Sequence, residues 1–425
     1  MTITMRVAAV LLAVFTLSLA AQSPEPTPAF SWQTDAPPPA RPSPPFNLET
    51  IATGLTGAWA VAFLPDGNFL ISQNGGTMRV VKPNGVVSAP IAGVPGVKTI
   101  GAHGLHDLLL DPDFARNRTL YFTYFAPPPG EAPGAWPLHF LYEDVWTKPL
   151  AERRLLNIGM EKVARARLSE DNQRLEDVRD LADGAERRIQ LGRDGNLLVT
   201  GADRFRFYDS DLDGVEHDFT SDPDVRRNFA GGVLRVGRDG SIPKDNPWLG
   251  RANVSPWVFA HGLKDPEGAA IHPVTGDLWV TDHGPQGGDE IDIVKAGSDY
   301  GWPDVSYGRQ YDARRTDGAK NVKVGSGLTS RKDVEEPIYY WVPSIGPSGM
   351  AFYTGDRFPE WKGNLFIGAM PGQHLVRLVL KDNRVVAEEK LLADRKQRIR
   401  EVRQGPDGYL YIFMGTDLVR LTPKG

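Results

Sequence analysis

Two histidines three residues apart, in the segment GAHGLHD, are the side chains of this sequence best suited to moving a proton. A neutral imidazole titrates near pH 6.5, so His103 or His106 is a candidate general base. On a regular strand, residues three apart face opposite sides, so only one of the two is expected to point into a site unless the loop bends. A second cluster, YDSDLDGVEHD, sets Asp209, Asp211 and Asp213 ahead of Gly214. This reproduces the first half of a calcium loop, with oxygen ligands at positions 1, 3 and 5 and glycine for the sharp turn. Thr220 stands at the twelfth position and no helix pair flanks the segment, which excludes an EF-hand. A looser calcium-stabilised insertion and an acidic solvated turn both remain open. No GxSxG elbow, Walker-type phosphate loop or HExxH zinc pair occurs. The chain has no cysteine, which removes disulfides, thiolate metal sites and cysteine nucleophiles.

The elements that would position these groups belong to a chain of 425 residues, long enough for a sizeable core, with a net charge of -5 that disfavours a nucleic-acid partner. Its 45 glycines and 35 prolines point to a turn-rich, β-rich fold. Residues 1–21 carry Arg6, an apolar run from Val7 to Ala20 and a small-residue end, the pattern of a cleaved secretory signal. Residues 22–45 are proline-rich and read as an extended linker. The folded domain is expected to span residues 46–425, exported and periplasmic in a Gram-negative host.

A turn followed by alternating β-formers recurs along that domain, at Asp66, Asp113, Asp194, Gly276, Gly363 and Asp407. Asp-Gly and Gly-Asn/Asp pairs supply the positive φ of tight hairpins, and the alternation sends every second side chain towards a core. Six irregularly spaced, blade-sized units predict an all-β, six-bladed β-propeller with helical or loop insertions, the helical ones at 147–158 and 169–182.

Two longer segments carry a resemblance. DPEGAAIHPVTGDLWVTDHGPQGGDEIDIVKAGSDYGWPDVSYG and WVPSIGPSGMAFYTGDRFPEWKGNLFIGA are similar to the soluble pyrroloquinoline-quinone (PQQ) dependent glucose and aldose dehydrogenases, and RIREVRQGPDGYLYIF fits the same family. The likeness extends from Phe46 to the C-terminus and implies a six-bladed propeller. It also implies PQQ over the central channel, a Ca²⁺ that polarises the cofactor, and oxidation of an aldose at C1 to the lactone. A small-molecule sugar and a periplasmic electron acceptor, a cytochrome or quinone, would be the partners. Residue by residue, the carbonyls of Gly284 and Pro285 match the family's calcium ligands at PQQ. Arg398 and Arg400 match its cofactor-binding arginines, and Glu290 and Tyr300 match a second, structural calcium site of some members. Trp341 falls in a matched segment near the cavity.

Other positions depart from the pattern. Where the family reads His-x-Gly-Gly-Arg-Leu, this chain reads GAERRI, so Gly184 occupies the catalytic histidine position and only the preceding Asp183 is kept. Lys264 and Asp265 replace an arginine and an asparagine near the cofactor, and Ala102 replaces a glutamine. His103 and His106 are then candidates for a displaced base. Two rival readings follow: a family propeller that has lost PQQ and performs metal-assisted sugar hydrolysis or lysis, and a non-catalytic carbohydrate-binding propeller.

Overall fold

The computed structural model describes residues 27–101, 103–135, 160–203, 231–252, 254–311 and 320–424. Its strands form six antiparallel blades. The first holds Ala58–Phe63, Phe69–Gln73 and Thr77–Val81; the second holds Leu105–Leu110, Thr119–Ala126, Met160–Leu168 and Leu175–Asp183. The third runs Ile189–Leu191, Leu197–Gly201, Gly231–Val236 and Val258–Leu263, and the fourth Pro266–Ile271, Leu278–Asp282, Asp289–Val294 and Tyr339–Trp341. The fifth comprises Pro347–Phe352, Leu365–Ala369, Leu375–Lys381 and Arg384–Leu391. The sixth takes Ile399–Gln404, Leu410–Met414 and Asp417–Pro423 from the end of the domain and its outer strand, Phe46–Ala52, from the beginning, with Leu48 opposite Leu421. Pairing the two ends of the domain in one sheet closes the ring.

All six turns recognised in the sequence connect the first and second strands of a blade. Gly67, Gly195, Gly276, Gly363 and Gly408 adopt φ between +80° and +83°, and the second blade instead turns through a short helix ending at Arg118 with φ +55°. Strand alternation then builds the core. Leu197 and Val199 pack towards the second blade while Leu198 packs towards the fourth. Buried hydrophobic side chains fall into six clusters among the described residues, each between two neighbouring blades. The first strands of the blades are neighbours in ring order and surround the axis.

Two sequence expectations change. Residues 169–182 form no helix: most of the segment is the outer strand of the second blade, because Leu175, Leu181 and Ala182 bury against the strand and blade beside them. Residues 147–158 lie outside the described residues. Of the proline-rich segment, residues 27–45 turn at Trp32 and Asp35, with φ +60° and +51°, and are docked against the propeller. Gln33, fully buried, donates to the Pro337 carbonyl at 2.9 Å, accepts from the Ala29 N–H at 2.7 Å, and its own carbonyl accepts from Tyr340 N–H. Ser43 donates to Glu389 at 2.7 Å and accepts from the Trp361 indole at 3.0 Å. The segment thus straps the outer strands of the fourth and fifth blades before entering the sixth. No helix among the described residues is long and apolar enough to cross a membrane.

Gln33→Ala strands the buried Pro337 carbonyl, so stability should fall by about 1–3 kcal/mol. The expected readout is a lower denaturant midpoint than that of the parent protein.

Candidate active site

The axis is filled by ion pairs. Arg187 and Arg188 lie just ahead of the third blade's first strand and point inward, both fully buried. Arg187 Nε reaches Asp265 at 2.9 Å and Nη1 reaches Glu186 at 2.7 Å. Arg188 Nη1 meets Glu401 at 2.7 Å, its Nε donates to the Glu267 carbonyl at 2.7 Å, and its guanidinium lies 4.0 Å over the Trp59 ring. Arg400 pairs with Glu267 at 2.6 Å, and Arg403 pairs with Asp107 and, at 3.3 Å, with Glu401. Burial alone would raise the Glu267 carboxyl, but the guanidiniums of Arg400 and Arg187 override burial and the neighbouring Asp265 and hold it down at about 2. Burying so many charges is tolerated because each has an opposite charge or a carbonyl within reach.

Both candidate histidines converge on one residue, contrary to the expectation that they face opposite ways. The turn at 100–103 and a register shift between Leu105 and Leu108 break the strand's regular alternation. His103 Nδ1 contacts the Glu186 carboxylate, and His106 Nδ1 lies 2.7 Å from the Glu186 carbonyl. His106 stacks on Trp59 at 4.7 Å, and burial lowers its pKa to about 4, so the ring is neutral at physiological pH. With Nδ1–H donating to the carbonyl, Nε2 is left to accept from the Asn74 amide at 3.1 Å.

Asn74 lines a cavity of about 510 Å³ at the rim of the axis. Trp59, Gly101, Met370, Gln373, Lys396, Arg398 and Arg400 share its wall. Three cations and three amides, those of Asn74, Gln373 and Gln397, face the cavity, and among the described residues no carboxylate or imidazole lines it. Arg398 and Lys396 are exposed and have no carboxylate partner among the described residues. Such a wall suits an anion with hydrogen-bonding edges.

The remaining expected residues divide. Asp183 sits at a strand end, paired with Lys162 at 2.7 Å, and does not reach the cavity or the axis. Asp265 reaches the axis but is neutralised by Arg187. Lys264 is buried with its ammonium 5.6 Å over Trp302, outside the cavity wall. Trp341 is a core residue, edge-on to Tyr339 at 5.0 Å with its indole N–H donating to Glu388, because its strand buries this face against the fifth blade. Gly284 and Pro285 form a tight turn held by Asp289, whose buried carboxylate accepts from the N–H groups of Gly284, Ile345 and Gly346 and from the Ser344 hydroxyl. A Cβ at Gly284 would collide with the carbonyl oxygens of Gly287 and Gly288, so the turn gathers carbonyls closely. The Pro285 carbonyl also accepts from Arg309 N–H at 2.8 Å. Burial and the carboxylates of Asp292, Asp282 and Glu336 push Glu290 well above the usual range. The Tyr300 hydroxyl donates to the Ile293 carbonyl at 2.8 Å and accepts from Lys295 N–H, so the end of the strand Asp289–Val294 engages it. Asp209, Asp211 and Asp213 lie outside the described residues.

Residues 55–421 match the sequence profile of the family described as Glucose / Sorbosone dehydrogenase. The chain belongs to this family. It is 32% identical over 393 residues to the aldose sugar dehydrogenase YliI of Escherichia coli, covering 89% of this chain and 93% of that one. Among solved structures it resembles a glucose dehydrogenase at 33% identity with a TM-score of 0.73, over 89% of this chain and 99% of that one. The apo-form of the soluble aldose sugar dehydrogenase of Escherichia coli gives 30% identity and a TM-score of 0.71, over 89% of this chain and all of that one. The PQQ-bound aldose sugar dehydrogenase of Streptomyces coelicolor, at 21% identity and a TM-score of 0.63, covers 89% and 99% and shares the fold.

Glu186, Arg187, Arg188, Glu267, Glu401, Asp107, Glu161 and Asn74 were not singled out by their sequence context. One signal was available: ERR precedes the apolar strand start IQL, and it stands where the family motif has two glycines and an arginine. Charged side chains in place of glycine at an innermost strand must enter the channel.

Because the folded Glu267 carboxyl titrates near 2 rather than 4.5, its stabilising charge is fully present above pH 4.5 and is lost as pH falls from 4.5 to 2. Glu267→Gln should lower stability at pH 7. It should also flatten acid destabilisation across that window by up to about 1.4 kcal/mol per pH unit, read from unfolding midpoints against pH.

Proposed function

We propose that this chain is an exported aldose dehydrogenase that oxidises a sugar at C1 to the lactone with PQQ and Ca²⁺. The observation that carries the reading is the cationic, carboxylate-free wall of the rim cavity in a member of the sugar dehydrogenase family. When bound, PQQ supplies a quinone that accepts hydride, and calcium supplies its polarisation. Arg398, Lys396 and Arg400 would hold the cofactor's carboxylates by charge-assisted hydrogen bonds. Asn74 and Gln373 offer amides to sugar hydroxyls or to the cofactor edge. The crowded carbonyls of the turn at Gly284 and Pro285 suit a hard cation. A second calcium is supported beside Glu290, where both carboxylate oxygens of buried Asp292 have no hydrogen-bond partner among the described residues. Export rests on residues 1–21.

The base in this reading is non-standard. Gly184 has no side chain to accept a proton, and Asp183 and His103 do not face the cavity. His106 Nε2 is one amide behind the wall, so Asn74 has to turn aside for the imidazole to take the proton. That cover favours a second reading, in which the same cationic cavity binds an acidic carbohydrate without oxidising it.

Titration of the purified protein with PQQ, with and without Ca²⁺, followed by an aldose panel, separates the two. Calcium-dependent binding and sugar-driven reduction of the cofactor support the dehydrogenase. Binding of hexuronates without PQQ binding supports the second reading. Arg398→Ala should weaken PQQ binding by about 10- to 100-fold, the value of one charge-assisted contact. His106→Gln should slow cofactor reduction by about 100-fold or more while leaving cofactor affinity within about threefold.

A further inference from the structure

One cluster around the Glu186 carboxylate has no part in that reading. His103, Glu161 and Glu186 come from three separate elements: the 100–103 turn, the third strand of the second blade and the loop before the third blade. They are 3%, 5% and 0% exposed. One donor atom from each lies within 4.8 Å of the other two. Each is anchored independently. The His103 ring packs on Phe125 at 4.6 Å, and its carbonyl lies 3.4 Å from the Asn74 amide. Glu161 is the cross-strand partner of Phe125, and its carbonyl accepts from Gly184 N–H at 2.9 Å. Glu186 is oriented by Arg187 through Oε1.

The geometry points to a binding site for one divalent transition-metal cation of the zinc or manganese class, held by His103, Glu161 and Glu186. A histidine–carboxylate pair alone needs only one acid. A second carboxylate converging on the same buried spot completes a set of three donor atoms that one divalent cation can bridge. The donor chemistry selects the metal. One imidazole nitrogen with two carboxylate oxygens suits Zn²⁺, Mn²⁺ or Fe²⁺, whereas Ca²⁺ takes six to eight oxygens. Bonds of about 2.0–2.2 Å require donor atoms roughly 3–3.5 Å apart, within reach of the observed set by rotation of the two glutamate side chains. Arg187 on Glu186 is the outer partner that orients such a ligand.

The cation would lie beside Gly184 and would pin the turn that forms part of the cavity wall through Gly101. The site is independent of whether PQQ binds, and its test does not use turnover.

The test is calorimetric titration of tag-free, chelator-dialysed full-length protein with ZnCl₂, MnCl₂ and CaCl₂ in turn. The expected result is one equivalent of Zn²⁺ or Mn²⁺ bound at micromolar concentration or tighter, undisturbed by excess Ca²⁺ and accompanied by a higher unfolding temperature. Affinity should weaken as pH falls, since the ligands must lose their protons. Glu161→Gln and His103→Asn should each cut it by at least about 100-fold, more than an outer partner's loss. Pulsed electron paramagnetic resonance of the Mn²⁺-loaded parent protein needs no variant and should show coupling to a single imidazole nitrogen. Absence of saturable Zn²⁺ and Mn²⁺ binding, binding unchanged in both variants, or no imidazole coupling overturns the assignment and leaves a His103–Glu186 ion pair.

Discussion

The Arg188 guanidinium ties the ring together. It begins at the third blade, donates to the Glu267 carbonyl of the fourth, pairs with Glu401 and reaches the Arg400 carbonyl of the sixth, stacks on Trp59 of the first and lies 3.8 Å from Asp107 of the second. Five of six blades therefore meet at one planar cation. A hydrophobic plug of the same volume would fill the axis, but it would leave the inward carbonyls and carboxylates of the innermost strands without donors. The five-donor fork of arginine satisfies several at once in fixed directions, which lysine's single ammonium does not.

Once the axis is filled in this way, the position of the candidate cavity follows. Glu186 and Arg187 occupy space that the family motif leaves to two glycines, and their charges are consumed by Asp265, His103 and one another. What remains open is the rim between the first, fifth and sixth blades, where Asn74, Gln373, Lys396 and Arg398 meet. Arg400 stands at the boundary. It lines the cavity while its Nη1 is held by Glu267 of the buried lattice, so a ligand in the cavity and the axial ion pairs are coupled through a single side chain. His106 forms the second link, since the imidazole that stacks on Trp59 also fixes the Asn74 amide.

The fold was legible because a propeller writes the same local rule six times. A turn with positive φ and an alternating strand recur whatever the length of the insertion between them. The site was less legible because the axial residues come from five blades far apart in sequence, and nothing local marks Glu267, Glu401 or Asp107 as neighbours. His103 and His106 were recognisable as chemistry, but their convergence on Glu186 depends on a bent turn that an alternation rule cannot supply. Trp341 shows the opposite error. It lies in a segment matched to the family, yet an aromatic residue on the outer strand of a blade has a whole neighbouring blade to bury against, and the core claims it.

The HGPQGGDE block bears on how sequence retention is converted into function. Its aspartate, Asp289, accepts three backbone N–H groups and a serine hydroxyl, and thereby fixes the turn at Gly284 to residues 344–346. Those residues in turn hold Met370 and Gly372 through the carbonyls of Gly346 and Ile345, and Met370 lines the cavity. The block would be required for the cavity's shape even in a protein that never bound calcium, because replacing Asp289 would orphan the buried N–H groups of Gly284 and Ile345 at once. Its presence therefore speaks first for the architecture. The chemistry has to be read from the side chains, and this chain differs from its family motif at Gly184, which has none, and at Glu186 and Arg187, which are buried in the axial ion pairs and do not face the cavity.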